Sequence, residues 1–141
     1  MKRTMIRVLV VDDDPILADL LQEALQDDGY CARVASDAVA AYASIVARWP
    51  QVVLLDVHLP GIDGWTLLHM CRQDAWAVDL PVVMMAAPCQ EPAAHDAKVA
   101  FLPKPFDLAA LTRTVQQLVS GGPAGGSVIR PGWSSARAAP V

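Results

Sequence analysis

No apolar stretch in the 141 residues approaches the roughly 20 uncharged positions that a membrane helix needs, so insertion into a bilayer is not expected. Basic residues do precede an apolar run near the N-terminus. Arg7 interrupts that run and Asp12 ends it, too early for the core of a secretion signal, and the expected location is cytoplasmic. Cysteine is scarce: Cys31, Cys71 and Cys89 are odd in number and lack metal-type spacing, so they read as reduced thiols in a reducing compartment. Positive charge is also short. Eleven Lys and Arg face 15 Asp and Glu for a net charge of −4. The segment after Ser120 holds Arg130 and Arg137 but no acid, which leaves −6 on the first 120 residues. An acidic domain of that kind is a poor candidate for direct nucleic acid binding. Internal repeats are absent as well, and the length suits one domain with a proper core.

What is present is a series of short apolar runs, at residues 6–11, 30–35, 51–55, 81–85 and 99–102. Those at 8–11 and 52–55 are continuous rather than alternating, as strands buried on both faces are. Segments with helical spacing lie between them. The clearest has Ile16, Leu17, Leu20, Leu21, Ala24 and Leu25 as its apolar stripe, with Asp14 as cap, Pro15 at the first helical position and Gly29 as the stop. A second helix is expected over about 37–48 with Val39, Tyr42, Ile45 and Val46 inward, and a third after Asp63 with Leu67, Leu68 and Cys71. Pro88 and Pro92 bracket a stretch in which only about 92–97 could be helical, so the fourth helix is expected to be short. Asp107 can cap the last helix, whose stripe is Leu108, Leu111, Val115, Leu118 and Val119. Five alternations of strand and helix predict a doubly wound α/β fold, a five-stranded parallel sheet with helices on both faces. Residues 121–141 are rich in Gly, Pro, Ser and Ala and read as a flexible tail or linker beyond a domain of residues 1–120.

The chemistry lies where the runs stop. Val8 to Val11 ends at Asp12 and Asp13, Val52 to Leu55 ends at Asp56, and Lys104 follows the last short run. Ligands of open α/β sheets bind outside the carboxyl ends of the strands, where strand order reverses. If the order is 2-1-3-4-5, the first and third strands are neighbours there and bring three carboxylates together. At about 4 Å and an effective dielectric near 20, each like-charge contact costs about 4 kcal/mol, so the cluster calls for a cation. Oxygen-only ligands favour Mg²⁺ as the cofactor. Asp56 is the best nucleophile, because a carboxylate can attack a phosphoryl group to form an aspartyl phosphate. That transfer needs charge neutralisation above all, which a metal at Asp12 and Asp13 and the Lys104 ammonium would supply from two sides.

Three segments resemble the receiver domain of two-component response regulators: Val-Leu-Val-Val-Asp-Asp-Asp-Pro at 8–15, Leu-Leu-Asp-Val-His-Leu-Pro-Gly-Ile-Asp-Gly at 54–64 and Phe-Leu-Pro-Lys-Pro-Phe at 101–106. The likeness covers about residues 5–120. It implies the flavodoxin-like strand order 2-1-3-4-5 and a phosphoacceptor at Asp56, charged by a phosphohistidine on a sensor histidine kinase or phosphotransfer protein. It further implies that Asp13 and Asp56 ligate Mg²⁺ directly, with the His58 backbone carbonyl as another ligand and Asp12 acting through water. Phe101 falls at the aromatic switch position, Pro60 and Gly61 shape the loop after the acceptor, and the bond before Pro105 is expected to be cis. The downstream protein target is unspecified.

Two departures stand out against that family. The position that carries a Thr or Ser hydroxyl at the end of the fourth strand is Ala86, which has no donor. Only 14 residues separate Ala86 from Phe101, about one helical turn fewer than expected. Phosphorylation of Asp56 is therefore expected to produce a small or unusual response. Two further readings compete with a single-domain switch or phosphate shuttle. One is a protein-binding module on the same fold with weak switching. The other is an aspartyl-phosphate phosphatase of the haloacid-dehalogenase type, to which Asp12-Asp13-Asp14-Pro15 fits only loosely, so an enzyme is not expected. Asp14 reads as a helix cap rather than a third ligand. His58 is most simply a loop histidine, with a role at the hydrolytic water as its functional alternative. Trp49, Trp65 and Trp76 read as packing residues; Trp133 is a candidate anchor for a partner or a second copy of the chain, which leaves a homodimer open.

Overall fold

A computed structural model describes residues 5–87 and 98–120. Its sheet is built from β1 (Arg7–Val11), β2 (Cys31–Ala35), β3 (Val52–Asp56), β4 (Val82–Ala86) and β5 (Val99–Pro103). All neighbours are parallel and the order is β2-β1-β3-β4-β5, as expected. Four helices are seen among the described residues: α1 (Pro15–Asp27), α2 (Ala38–Val46), α3 (Gly64–Arg72) and α4 (Leu108–Val119). The expected short helix near 92–97 and the 121–141 tail with Trp133 lie outside the described residues.

Continuous apolar strands become two cores. On one face Leu9, Val11, Val53, Leu55, Met84 and Phe101 pack under α2 and α3, through Ala41, Ile45, Leu67 and Cys71. On the other, Val8, Val10, Leu54, Met85 and Leu102 meet Leu21 and Leu25 of α1 and Leu111, Val115 and Leu118 of α4. Successive residues of one strand therefore serve opposite cores, and no position in β3 or β4 is left for a polar side chain until the strand ends. Burial pushes the Cys71 thiol up to about 11, which suits an inert packing role.

The helix starts follow the expected acids. Asp14 accepts from the Ile16 amide at 3.0 Å, Asp37 from Ala40 at 2.8 Å, Asp63 from Thr66 at 2.9 Å and Asp107 from Ala110 at 2.7 Å. Gly29 ends the α1 turn at φ 93°, a left-handed conformation that only glycine adopts without strain.

The inward faces of the helices differ from expectation. In α1 the buried residues are Ala18, Leu21 and Leu25, while Ile16 is 80% and Leu20 47% exposed. In α2 Ala38, Ala41 and Ile45 are buried, Val39 and Val46 are exposed, and Tyr42 is half-buried. Leu108 of α4 is exposed too. In α2 the small Ala38 and Ala41 take the buried face beside the expected Ile45, and Val39 turns outward. Trp49, Trp65 and Trp76 are half-buried against the α2/α3 core, as expected of packing residues. The Trp76 indole N–H donates to the Ile45 carbonyl at 2.9 Å, sharing that acceptor with the Arg48 amide at the end of α2.

Because Asp14 caps α1 and its side chain belongs to no acidic cluster among the described residues, Asp14→Ala should lower stability by about 1 kcal/mol and leave Mg²⁺ affinity unchanged. Denaturant melts and Mg²⁺ titration of the same variant test the two halves of that expectation.

Candidate functional site

β1 and β3 are paired in parallel with Val11 opposite Leu55, so Asp12 and Asp56 lie at adjacent strand ends. Lys104 arrives from β5 across the end of β4, its backbone amide donating to the Ala86 carbonyl at 2.9 Å. The parallel register of three strands thus brings together residues 44 and 48 positions apart in sequence. Candidate metal-ligating oxygens of Asp12, Asp13 and Asp56 all lie within 4.8 Å of one another. Lys104 Nζ is 3.0 Å from Asp56 Oδ1, a charge-assisted hydrogen bond with the carboxylate side chain 6% and the lysine side chain 32% exposed.

The three acids have unequal surroundings. Asp13 is exposed, whereas Asp12 is 1% exposed. One oxygen of Asp12 accepts from the Asp14 amide at 2.9 Å. The other, Oδ2, is buried with no hydrogen-bond partner among the described residues. Burial holds the Asp12 carboxyl above its ordinary value, the Asp14 amide opposes that rise, and the Asp56 charge adds to it. A buried carboxylate oxygen without a partner, next to two further carboxylates, fits a hard cation with oxygen ligands.

The loop after Asp56 turns back at once. The His58 amide approaches Asp56 Oδ1 at 3.3 Å, and the His58 side chain is exposed. Gly61 has φ 81°, the left-handed value that the turn requires. The Gly64 amide then donates to the Val57 carbonyl at 2.8 Å. A Cβ on Gly64 would lie 2.4 Å from the Asp56 carbonyl oxygen, so only glycine lets α3 start this close to the strand end. The Lys104–Pro105 bond is cis, as the resemblance implied. Ala86 is buried at the end of β4, and Phe101 is 2% exposed with its ring centroid 5.6 Å from that of Trp65.

The structure therefore brings Asp12, Asp13, Asp56 and Lys104 together and places His58 at the rim. The packing role of Gly64 was not anticipated. Its signal was a glycine directly after a capping Asp63, where one residue had to serve both a helix start and a close backbone approach. The groove beside the acceptor was also not anticipated. Leu17, Lys104, Pro105 and Phe106 line about 420 Å³ next to the exposed Ile16 and Leu20 of α1.

Fold and site together define an α/β domain with an acidic, lysine-paired pocket at the carboxyl edge of a doubly wound sheet. Residues 8–116 match the family model for the response regulator receiver domain, and the chain belongs to that family. It is 33% identical over 121 residues to the DNA-binding dual master transcriptional regulator RpaA of Synechocystis, covering 80% of this chain and 48% of that protein. The chain spans half or less of the length of the curated relatives it matches. Among solved structures it resembles the receiver domain of NtrX from Brucella abortus, with TM-score 0.68 and 32% identity over 82% of this chain and 99% of that one. The receiver domain of sensor histidine kinase PA1611 from Pseudomonas aeruginosa shares the fold at TM-score 0.74 and 22% identity, covering 84% of this chain and all of that one. No described helix is long and apolar enough to cross a membrane.

Two outcomes test the packing of this site. Asp12→Asn should stabilise the metal-free chain at neutral pH by about 1 to 3 kcal/mol, since it removes an incompletely paired buried charge. Protonated Asp12 favours the fold, a contribution complete below pH 3.8 and lost as pH rises through the raised folded value, so the gain from Asn should shrink on acidification. Gly64→Ala should destabilise by about 1 to 3 kcal/mol because the clashing atom is backbone that cannot rotate away. Thermal melts at several pH values, with and without Mg²⁺, check both.

Proposed function

We propose that the chain is a phosphoacceptor of a two-component phosphorelay, with Asp56 taking a phosphoryl group from a phosphohistidine on a sensor histidine kinase or phosphotransfer protein. The observation that carries this reading is the convergence of Asp12, Asp13 and Lys104 on one buried carboxylate, Asp56. An oxygen of Asp56 attacks phosphorus, the P–N bond breaks, and its electron pair returns to the imidazole nitrogen of the donor. Lys104 starts on the acceptor oxygen and is placed to pair with the oxygens of the incoming group, offsetting the charge that the transfer concentrates there. The His58 amide, beside the same carboxylate, adds a hydrogen-bond donor from the loop.

Asp13, Asp56 and the His58 carbonyl would hold Mg²⁺, with Asp12 behind them acting through water. Bound there, a divalent cation would supply positive charge for the phosphoryl oxygens. The fit rests on the orphaned Asp12 oxygen and on the carboxylate spacing. The PA1611 receiver is described with a magnesium ion coordinated in its active site cleft.

The phosphodonor docks, in this reading, on the apolar rim of the acceptor. The groove lined by Leu17, Lys104, Pro105 and Phe106 offers apolar surface at the lysine, and Ile16 and Leu20 are exposed on the same helix as Leu17; a partner covering it would exclude water while presenting its phosphohistidine. The domain takes residues 1–120 and works in the cytoplasm as a signalling switch or phosphate shuttle, at most assisting its own phosphorylation and dephosphorylation. The tail at 121–141 is a linker or terminus, and the output target is a protein. A protein-binding module on this fold with weak or absent phosphorylation-driven switching is the less favoured alternative, because it gives no reason for an unsatisfied buried carboxylate near the lysine.

Incubation with acetyl phosphate and Mg²⁺ should add one hydroxylamine-labile phosphoryl group detectable by intact mass. Asp56→Asn should abolish it, and Lys104→Ala should slow it by at least about tenfold, the loss of one charge-assisted contact to the transferring group. Labelling that survives Asp56→Asn but is lost in Asp12→Asn would point instead to an acceptor on β1.

A further inference from the structure

Two arginines are stacked on tryptophan rings at the turn that ends α2. The Arg33 guanidinium lies 4.2 Å from the centroid of the Trp49 ring and that of Arg48 lies 5.8 Å from the centroid of Trp76, both within cation–π range. The same turn gathers further contacts. The Arg7 side chain donates to the Trp49 carbonyl, the Trp76 indole to the Ile45 carbonyl, and Arg72 to the Ala77 carbonyl at 2.9 Å. Stacking occupies the flat face of a guanidinium and leaves the N–H donors around its edge available. Among the described residues, Arg33 and Arg48 meet no carboxylate and no hydrogen-bond acceptor with those donors, and both are exposed. The nearby Asp74 carboxylate is engaged by the Trp76 amide at 3.1 Å.

The backbone under Arg48 is unusual for a side chain of that size. Its amide donates to the Ile45 carbonyl at 2.9 Å and the Trp49 amide to the Ser44 carbonyl at 3.1 Å, the paired bonds of a helix stop whose central residue is left-handed. Arg48 fills that place at φ 61°, where glycine carries no strain. The helix stop alone is better served by glycine, so what Arg48 adds is its guanidinium, set over Trp76 on the outside of the turn.

Positive charge here runs against the rest of the domain, which carries −6 over its first 120 residues. Val46 and Val78, each 45% exposed, stand two residues from Arg48 and Trp76 and add apolar surface. Arginine and tryptophan are the side chains that anchor protein interfaces, and unpartnered guanidinium edges match carboxylates. A long polyanion such as nucleic acid is a worse match, because it would run past the arginines to the exposed Asp79 and the acidic remainder of the domain. We propose that the turn ending α2 is a docking site for a short acidic segment of a partner protein, whose carboxylates pair with Arg33 and Arg48 while Trp49 and Trp76 hold the two guanidinium groups in place. The turn leads into the amino end of β3, about 16 Å from Asp56 by the length of a five-residue strand, so a partner held here leaves the acceptor open. The proposal does not rest on the phosphoacceptor reading.

The test titrates a fluorescein-labelled Glu-Glu-Leu-Glu-Glu-Leu peptide into the full chain at low ionic strength, where exposed charges are least screened, with the Gln-for-Glu peptide as control. The acidic peptide should bind, and the control should bind at least about fivefold more weakly. Arg33→Gln and Arg48→Gln should each weaken the acidic peptide by about 2- to 5-fold, the equivalent of one exposed ion pair. The ¹⁵N indole signals of Trp49 and Trp76, assigned with Trp49→Phe and Trp76→Phe, should shift on peptide addition while that of Trp65 stays. Arg48→Gly separates docking from folding: it should melt above Arg48→Gln, because glycine relieves the left-handed strain, and weaken the peptide as much. Failure of the acidic peptide to bind, equal affinity for the two peptides, native affinity in both Arg33→Gln and Arg48→Gln, or shifts that miss both indoles would overturn the proposal. So would a single-stranded oligothymidylate that shifts the same indoles and binds more tightly than the peptide, which would assign the turn to nucleic acid.

Discussion

The interaction on which the rest depends is the repulsion among carboxylates held at the ends of β1 and β3. Asp12 and Asp56 are buried, with Asp13 beside them, and Lys104 supplies an opposing charge at hydrogen-bonding distance of Asp56. A like-charge contact at this range costs about 4 kcal/mol, whereas burying one Val or Leu side chain returns about 1.5 to 3 kcal/mol. Two such side chains offset one contact, and the strands leading to the acids are buried on both faces. The strain is therefore tolerated because the sheet that creates it is also the most stabilised part of the molecule. It persists as long as no cation relieves it, which is why this pocket has a use for one.

The sequence displays the sheet and the acids clearly, for related reasons. A strand buried on both faces must be apolar at every position, so its end is marked by the first charge, and in a parallel sheet all such ends share one edge. Asp12, Asp56 and Lys104 could be brought together on those grounds before any geometry was available. The helix faces were harder to read. Hydrophobic size favoured Ile16, Val39 and Val46 as inward residues, yet those three are exposed while Ala18, Ala38 and Ala41 are buried. Gly64 and the pairing of Trp65 with Phe101 were illegible for another reason. Each depends on how α3 lies across β3 and β5, and no local pattern encodes a contact between residues 36 positions apart.

Acceptor and readout are built from different parts of the chain. The phosphoacceptor pocket needs only strand ends and a lysine, whereas transmission needs side chains that change place when the pocket changes charge. Ala86 offers no hydroxyl for that purpose at the end of β4. Coupling between two sites is reciprocal: if loading Asp56 does not alter Phe101, a protein bound at the β5 surface cannot alter the free energy of loading Asp56. A partner that distinguishes the two forms of this chain must then touch the acceptor side itself. The groove lined by Leu17, Pro105 and Phe106 includes Lys104, so a partner docked there would meet the phosphoryl charge and the groove together. On that arrangement one surface serves donor and reader in turn, and they compete for it, which suits a carrier of phosphoryl groups better than a lever.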